Sequence, residues 1–113
     1  MAAESPRTLL VVDDDPSIHE LIQAMLAGEG WELDSAANGD EALARLEARA
    51  YDLVLTDILM PRMDGLTLLG HLRTRYPGAR VVVMTVKNTP DHILGSLRRE
   101  ATAYVAKPLA RTR

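Results

Sequence analysis

The chain has 113 residues, 47% of them hydrophobic and 26% charged, the composition of one soluble globular domain with no room for a second. It contains no cysteine, which excludes a disulfide framework or a zinc-thiolate site and makes the cytoplasm the default compartment. Thirteen cations against sixteen anions leave a net charge of -3, a poor start for a nucleic-acid surface. No apolar run approaches the roughly 20 residues that span a bilayer, and Met1 to Arg7 has no hydrophobic signal core.

Strand-length apolar runs alternate with stretches of helical period, and turn or capping residues mark each switch. Leu9-Leu10-Val11-Val12 reads as a strand buried on both faces and stops at three aspartates. Asp15 caps a helix with Pro16 in its first turn; Ile18, Leu21, Ile22, Met25 and Leu26 form one apolar stripe, and Gly28 and Gly30 end it. Trp31 to Ala36 is a second, weaker strand. Asn38 and Glu41 resemble a capping box opening a helix to Ala50, with Ala42, Leu43 and Leu46 inward. Leu53 to Thr56 forms a third strand ending at Asp57, after which Pro61 and Gly65 frame a loop into a helix carrying Leu66, Leu69 and Leu72, closed by Pro77-Gly78. Val81 to Met84 is a fourth strand, and Thr89-Pro90-Asp91 caps a helix with Ile93, Leu94 and Leu97 inward. Ala103 to Ala106 is a fifth strand, stopping at Lys107-Pro108.

Five strands separated by four helices imply an α/β parallel sheet, whose ligands bind at the carboxyl ends of the strands. Strand one delivers Asp13, Asp14 and Asp15 to that edge, strand three Asp57, strand four Thr85 and strand five Lys107. Carboxylates gathered from two strands repel unless a cation or proton intervenes, and an oxygen-only donor set favours Mg²⁺ over zinc. A Mg²⁺ ion, an ammonium and a hydroxyl around one carboxylate suit transfer of a phosphoryl group onto that carboxylate. Of the thirteen cations only Lys87 and Lys107 are lysine, and a compact ammonium suits a phosphoryl contact.

The chain resembles the receiver domain of two-component response regulators over nearly its whole length. The resemblance rests on Val11-Val12-Asp13-Asp14-Asp15-Pro16, Asn38-Gly39-Asp40-Glu41-Ala42-Leu43, Asp57-Ile58-Leu59-Met60-Pro61-Arg62-Met63-Asp64-Gly65, Met84-Thr85, and Tyr104 three places before Lys107-Pro108. It implies a flavodoxin-like, doubly wound five-stranded sheet of order 2-1-3-4-5 and acceptance of a phosphoryl group from a histidine kinase or phosphotransfer protein. By position, Asp57 would be the phosphoacceptor; Asp14 would bind Mg²⁺ directly and Asp13 largely through water, with the backbone carbonyl of Leu59 completing the site. Lys107 would pair with phosphoryl oxygens. Thr85 would hydrogen-bond the phosphoryl group, letting Tyr104 turn inward and reshape the face of the fourth helix and fifth strand.

Other features have plainer readings. Asp15 is a helix cap, Asp64-Gly65 and Pro61 are structural, a cap and a turn, and Met60 and Met63 pack a loop. His19, His71 and His92 sit at no metal-ligand spacing and read as solvated surface. Trp31 is remote from the strand ends that carry the chemistry. Three positions depart from the family pattern: Val86 follows Thr85 where alanine or glycine is usual and would crowd the pocket; Glu100 lies near a usual glycine in the turn into strand five; Leu109 replaces the customary phenylalanine. After Lys107-Pro108 only Leu109, Ala110, Arg111, Thr112 and Arg113 remain, too few for the family's fifth helix. The expected organisation is therefore a single receiver domain over 1–113 with an N-terminal tail at 1–6, the first part of a longer chain carrying the fifth helix or an output domain. A homodimer closing the exposed sheet face is the other possibility.

The leading functional expectation is a signalling domain that catalyses only its own phosphorylation and dephosphorylation. The alternative is a pseudo-receiver, a protein-interaction or dimerisation module independent of phosphorylation, against which the intact Asp13, Asp14, Asp57, Thr85 and Lys107 argue. A Mg²⁺-dependent phosphatase with an aspartyl nucleophile would need a second acid/base carboxylate and a cap; Ile58 and Leu59 follow Asp57, and no cap segment exists.

Overall fold

The computed structural model describes residues 7–60, 63–86 and 88–109. Five strands, β1 (Arg7–Val12), β2 (Trp31–Ala36), β3 (Leu53–Asp57), β4 (Val81–Thr85) and β5 (Ala103–Ala106), alternate with α1 (Pro16–Leu26), α2 (Gly39–Ala48), α3 (Gly65–Arg75) and α4 (Asp91–Glu100). All pairings are parallel, in the order β2-β1-β3-β4-β5. The expected doubly wound sheet is therefore present. Among the described residues no helix follows β5.

Alternation along the strands sorts side chains to two faces. Leu10, Val12, Val54, Val81 and Val83 join Ala42 and Leu46 of α2, Leu68, Leu69 and Leu72 of α3 and Leu97 of α4 in the larger core. Leu9 and Val11 pack instead with Ile22 of α1, flanked by Trp31, Leu53, Leu55 and Leu109. This second face is covered less completely. Leu53, Leu55 and Val82 are half-buried and Val105 is 40% exposed, whereas Val54 and Val83 on the opposite face are at most 1% exposed.

Helix starts follow the expected capping chemistry. Asp15 accepts a hydrogen bond from the Ser17 amide and Asp64 one from the Thr67 amide. Asn38 accepts from the Glu41 amide, and Glu41 reaches back to the Ala37 amide, one residue before the cap. Gly28 and Gly30 adopt φ of 78° and 83° in the turn after α1, where other residues would be strained.

Several expectations need correction. Thr89 does not cap α4: its hydroxyl donates to the Val86 carbonyl and accepts from the Val86 amide, and Pro90 occupies the cap position without a side-chain bond. Helix α2 stops at Ala48, and Arg49 turns out to Glu32 and Asp34. In α3, Leu66 packs half-buried against the larger core beside the buried Leu69 and Leu72, and the fully buried Leu68, not named in the apolar stripe, joins them. Glu100 is the last residue of α4, so the turn into β5 is made by Ala101 and Thr102. The 1–6 tail, Pro61, Lys87, Ala110, Arg111 and Arg113 lie outside the described residues.

Candidate functional site

The chain leaves β1 for β2 on one side and returns to β3 on the other, so a crevice opens between the carboxyl ends of β1 and β3. Asp13 follows β1 directly and Asp57 is the last residue of β3. Carboxylate oxygens of Asp13, Asp14 and Asp57 lie within 4.8 Å of one another. Asp13 is 1% and Asp57 7% exposed, while Asp14 is open to solvent.

Lys107, beyond β5, reaches across to this cluster. Its Nζ lies 3.0 Å from Asp13 Oδ2 and 3.2 Å from Asp57 Oδ2, and its peptide bond to Pro108 is cis. The remaining oxygens also have partners: Asp13 Oδ1 accepts from the Asp15 amide at 2.9 Å, and Asp57 Oδ1 from the Ile58 amide at 2.9 Å. Burial pushes the Asp57 carboxyl above the usual carboxylate range, which the Lys107 hydrogen bond opposes and the Asp13 charge reinforces. Burial works against the Lys107 charge, but its bonds to Asp13 and Asp57 outweigh it and hold the ammonium above its ordinary range. Three carboxylates facing one ammonium leave a formal excess of two negative charges, which a divalent cation would balance.

Thr85 adjoins Lys107, whose amide donates to the Thr85 carbonyl, while Leu59 and Val86 share a cleft with Asp57. Thr85 ends β4 and is buried, with its hydroxyl 3.3 Å from the Val105 carbonyl, to which it donates. Tyr104 is half-buried against the larger core. Leu59, whose carbonyl was expected to complete a metal site, is 68% exposed. Val86, 43% exposed, lines a cleft with Asp57, Leu59, Asp64, Thr89 and Ile93.

Two residues were misjudged from sequence. His71 and His92 are exposed as expected, but His19 is half-buried, with Nε2 2.7 Å from the Asp13 carbonyl oxygen. Gly65, expected to serve in a cap and a turn, is also buried, with its amide donating to the Ile58 carbonyl at 2.6 Å, so that α3 starts against the backbone of Asp57 and Ile58.

A sequence profile of the response regulator receiver domain matches residues 9–113. The chain belongs to the response regulator receiver domain family. It is 35% identical over 105 residues, 93% of its length, to the probable transcriptional regulatory protein TcrX of Mycobacterium tuberculosis, covering 45% of that protein. It is 40% identical over 98 residues, 87% of its length, to the DNA-binding transcriptional regulator NtrC of Salmonella typhimurium, covering 21% of it. The chain thus spans less than half the length of these curated relatives. Among solved structures, TrrA of Thermotoga maritima, in complex with Mg(2+)-BeF, superposes with a TM-score of 0.79 at 38% identity, over 91% of this chain and 88% of that one. The receiver domain of NtrX from Brucella abortus gives 0.82 at 35% identity, over 90% and 87%. The receiver is thus a signalling domain, and among its described residues no helix is long and apolar enough to cross a membrane.

Proposed function

We propose that this receiver domain, acting in the cytoplasm, accepts a phosphoryl group on Asp57 from the phosphohistidine of a sensor histidine kinase or phosphotransfer protein, and turns over no external substrate. The observation that carries this reading is the sharing of one ammonium, Lys107, by two buried carboxylates at the sheet's switch point, with Asp14 open beside them. Asp13, Asp14, Asp57 and the Leu59 carbonyl are the residues that would hold Mg²⁺, which supplies charge neutralisation at the transferring phosphoryl oxygens. An Asp57 carboxylate oxygen attacks phosphorus, the P–N bond to the donor imidazole breaks, and the imidazole takes up a proton. Lys107 then exchanges its Asp57 contact for a phosphoryl oxygen.

Thr85 and Tyr104 are the proposed switch pair. The Thr85 hydroxyl now donates to Val105; rotation toward a phosphoryl group would free that carbonyl beside Tyr104 and alter the α4–β5 surface offered to an output domain or a second copy. NtrC, of which this chain covers 21%, is a DNA-binding transcriptional regulator, and a DNA-binding output domain following this receiver is the corresponding proposal.

The test is intact mass after incubation with acetyl phosphate and Mg²⁺, beside a chelated sample and Asp57→Asn. One phosphoryl adduct, absent from both controls, is expected; no adduct on folded protein, even with Val86→Ala, would favour a pseudo-receiver. Val86→Ala itself should speed phosphorylation by small donors about two- to tenfold, by opening the cleft beside Asp57. Unchanged rates of phosphorylation and of hydrolysis would remove Val86 as a steric gate.

A further inference from the structure

His19 lies one turn into α1, yet its ring reaches back over the cap to the end of β1. A carbonyl oxygen only accepts, so Nε2 carries the proton and donates to Asp13 O at 2.7 Å. The other ring nitrogen, Nδ1, is buried and has no hydrogen-bond partner among the described residues. A residue kept at this position for packing alone would be apolar and would bury no unpaired nitrogen.

The acceptor matters because of what hangs from it. The Asp13 carbonyl and the Asp14 amide share one rigid peptide plane, so holding the oxygen holds the plane from which the Asp14 Cα departs and removes one source of freedom in placing its side chain. The Asp13 amide is held by the Ala36 carbonyl at 3.1 Å, and its carboxylate by the Asp15 amide and Lys107. His19 supplies the constraint at the carbonyl, the side of Asp13 that faces Asp14. We infer that His19 is a positioning residue that aims the Asp14 carboxylate into the acidic cluster and so sets the affinity of that cluster for Mg²⁺. The inference rests on the proposed Mg²⁺ site; its test separates the two.

Mg²⁺ dissociation constants would be measured by amide NMR shifts for the unaltered protein, Asp14→Asn, His19→Leu and His19→Gln, at a temperature where thermal melts show all four folded. Glutamine places an amide N–H close to the position of Nε2; leucine fills the space without a donor. His19→Leu should weaken Mg²⁺ about tenfold, the scale of losing an outer hydrogen bond to a metal site, and His19→Gln should stay within about threefold of the unaltered protein. Equal affinity of His19→Leu and the unaltered protein, with Asp14→Asn still weakened, overturns the role of His19 and leaves the metal site standing. Equal weakening in both His19 variants assigns the residue to packing. Absence of Mg²⁺ binding by the unaltered protein overturns the site itself and the inference with it.

Discussion

Gly65→Ala is expected to lower the melting temperature by about 10 °C and to slow phosphorylation of whatever folds by about a hundredfold. A Cβ at this position would be driven into the Asp57 carbonyl oxygen and would meet the Ile58 Cα at 2.9 Å. Both obstacles are backbone at the end of a buried central strand, so no flexible side chain can swing away. Forced overpacking of this kind costs about 2–3 kcal/mol. The strain falls on the residue that carries the proposed phosphoacceptor, and a misplacement of about 1 Å at a reacting group costs on the order of a hundredfold in rate. Gly70→Ala is the matched control. It lies in the same helix, is exposed, and has nothing within 4 Å of the added methyl, so alanine's better helix propensity should leave stability equal or raised by up to about 1 kcal/mol. Equal melting temperatures for the two variants would show that α3 can pull back from β3 at no cost.

Lys107→Met is expected to be the most destabilising exchange at the site in the absence of metal. Methionine keeps most of the aliphatic stem but withdraws the ammonium from Asp13, which is 1% exposed, and from Asp57. Removing one partner of a buried pair typically costs about 3–5 kcal/mol; the Lys107 side chain is 20% exposed, so about 2–3 kcal/mol is the expected loss at neutral pH. Two signs follow from linkage. The folded state raises the Lys107 pKa, so its contribution is complete below the ordinary lysine value of 10.5 and disappears as pH rises through the higher folded value. The gap between unaltered protein and variant should therefore close in strong alkali. It should narrow in acid too, as Asp57, already raised by burial, takes up a proton and needs no counter-ion, while the Lys107–Asp13 pair remains. Millimolar Mg²⁺ should restore much of the loss at neutral pH by binding the folded form alone. Melting curves against pH, with and without Mg²⁺, check all of this, and a variant as stable as the unaltered protein at neutral pH would show that Lys107 is not the counter-charge of the cluster.

The frame of the fold was legible because its signals are local. Continuous apolar runs marked β1, β3 and β4, and Asp15, Asn38 and Asp64 each stand at a helix start whose free amide they bond. The acidic edge was legible for a topological reason: any residue just after a parallel strand is delivered to the same side of the sheet. The bonds that organise that edge were not. His19 to Asp13 crosses a cap, Lys107 to Asp13 spans 94 positions, and Gly65 against Asp57 is an approach of two backbones, none of which has a periodicity or composition to betray it. Thr89 shows the opposite failure. A cap signal was present, but its hydroxyl found closer partners in Val86.

Trp31 opens β2 in register with Arg7, whose guanidinium lies 5.3 Å from its ring centre, while the acidic cluster begins after Val12 at the far end of the same strand pair. At about 3.3 Å per residue the indole stands roughly 20 Å from Asp13. The chain's single tryptophan is thus an optical gauge of whether the sheet is assembled and is blind to what occupies the carboxylates. In one cuvette its emission tracks unfolding while mass or amide shifts track occupancy, so a variant that has lost its ion and a variant that has lost its shape cannot be mistaken for each other.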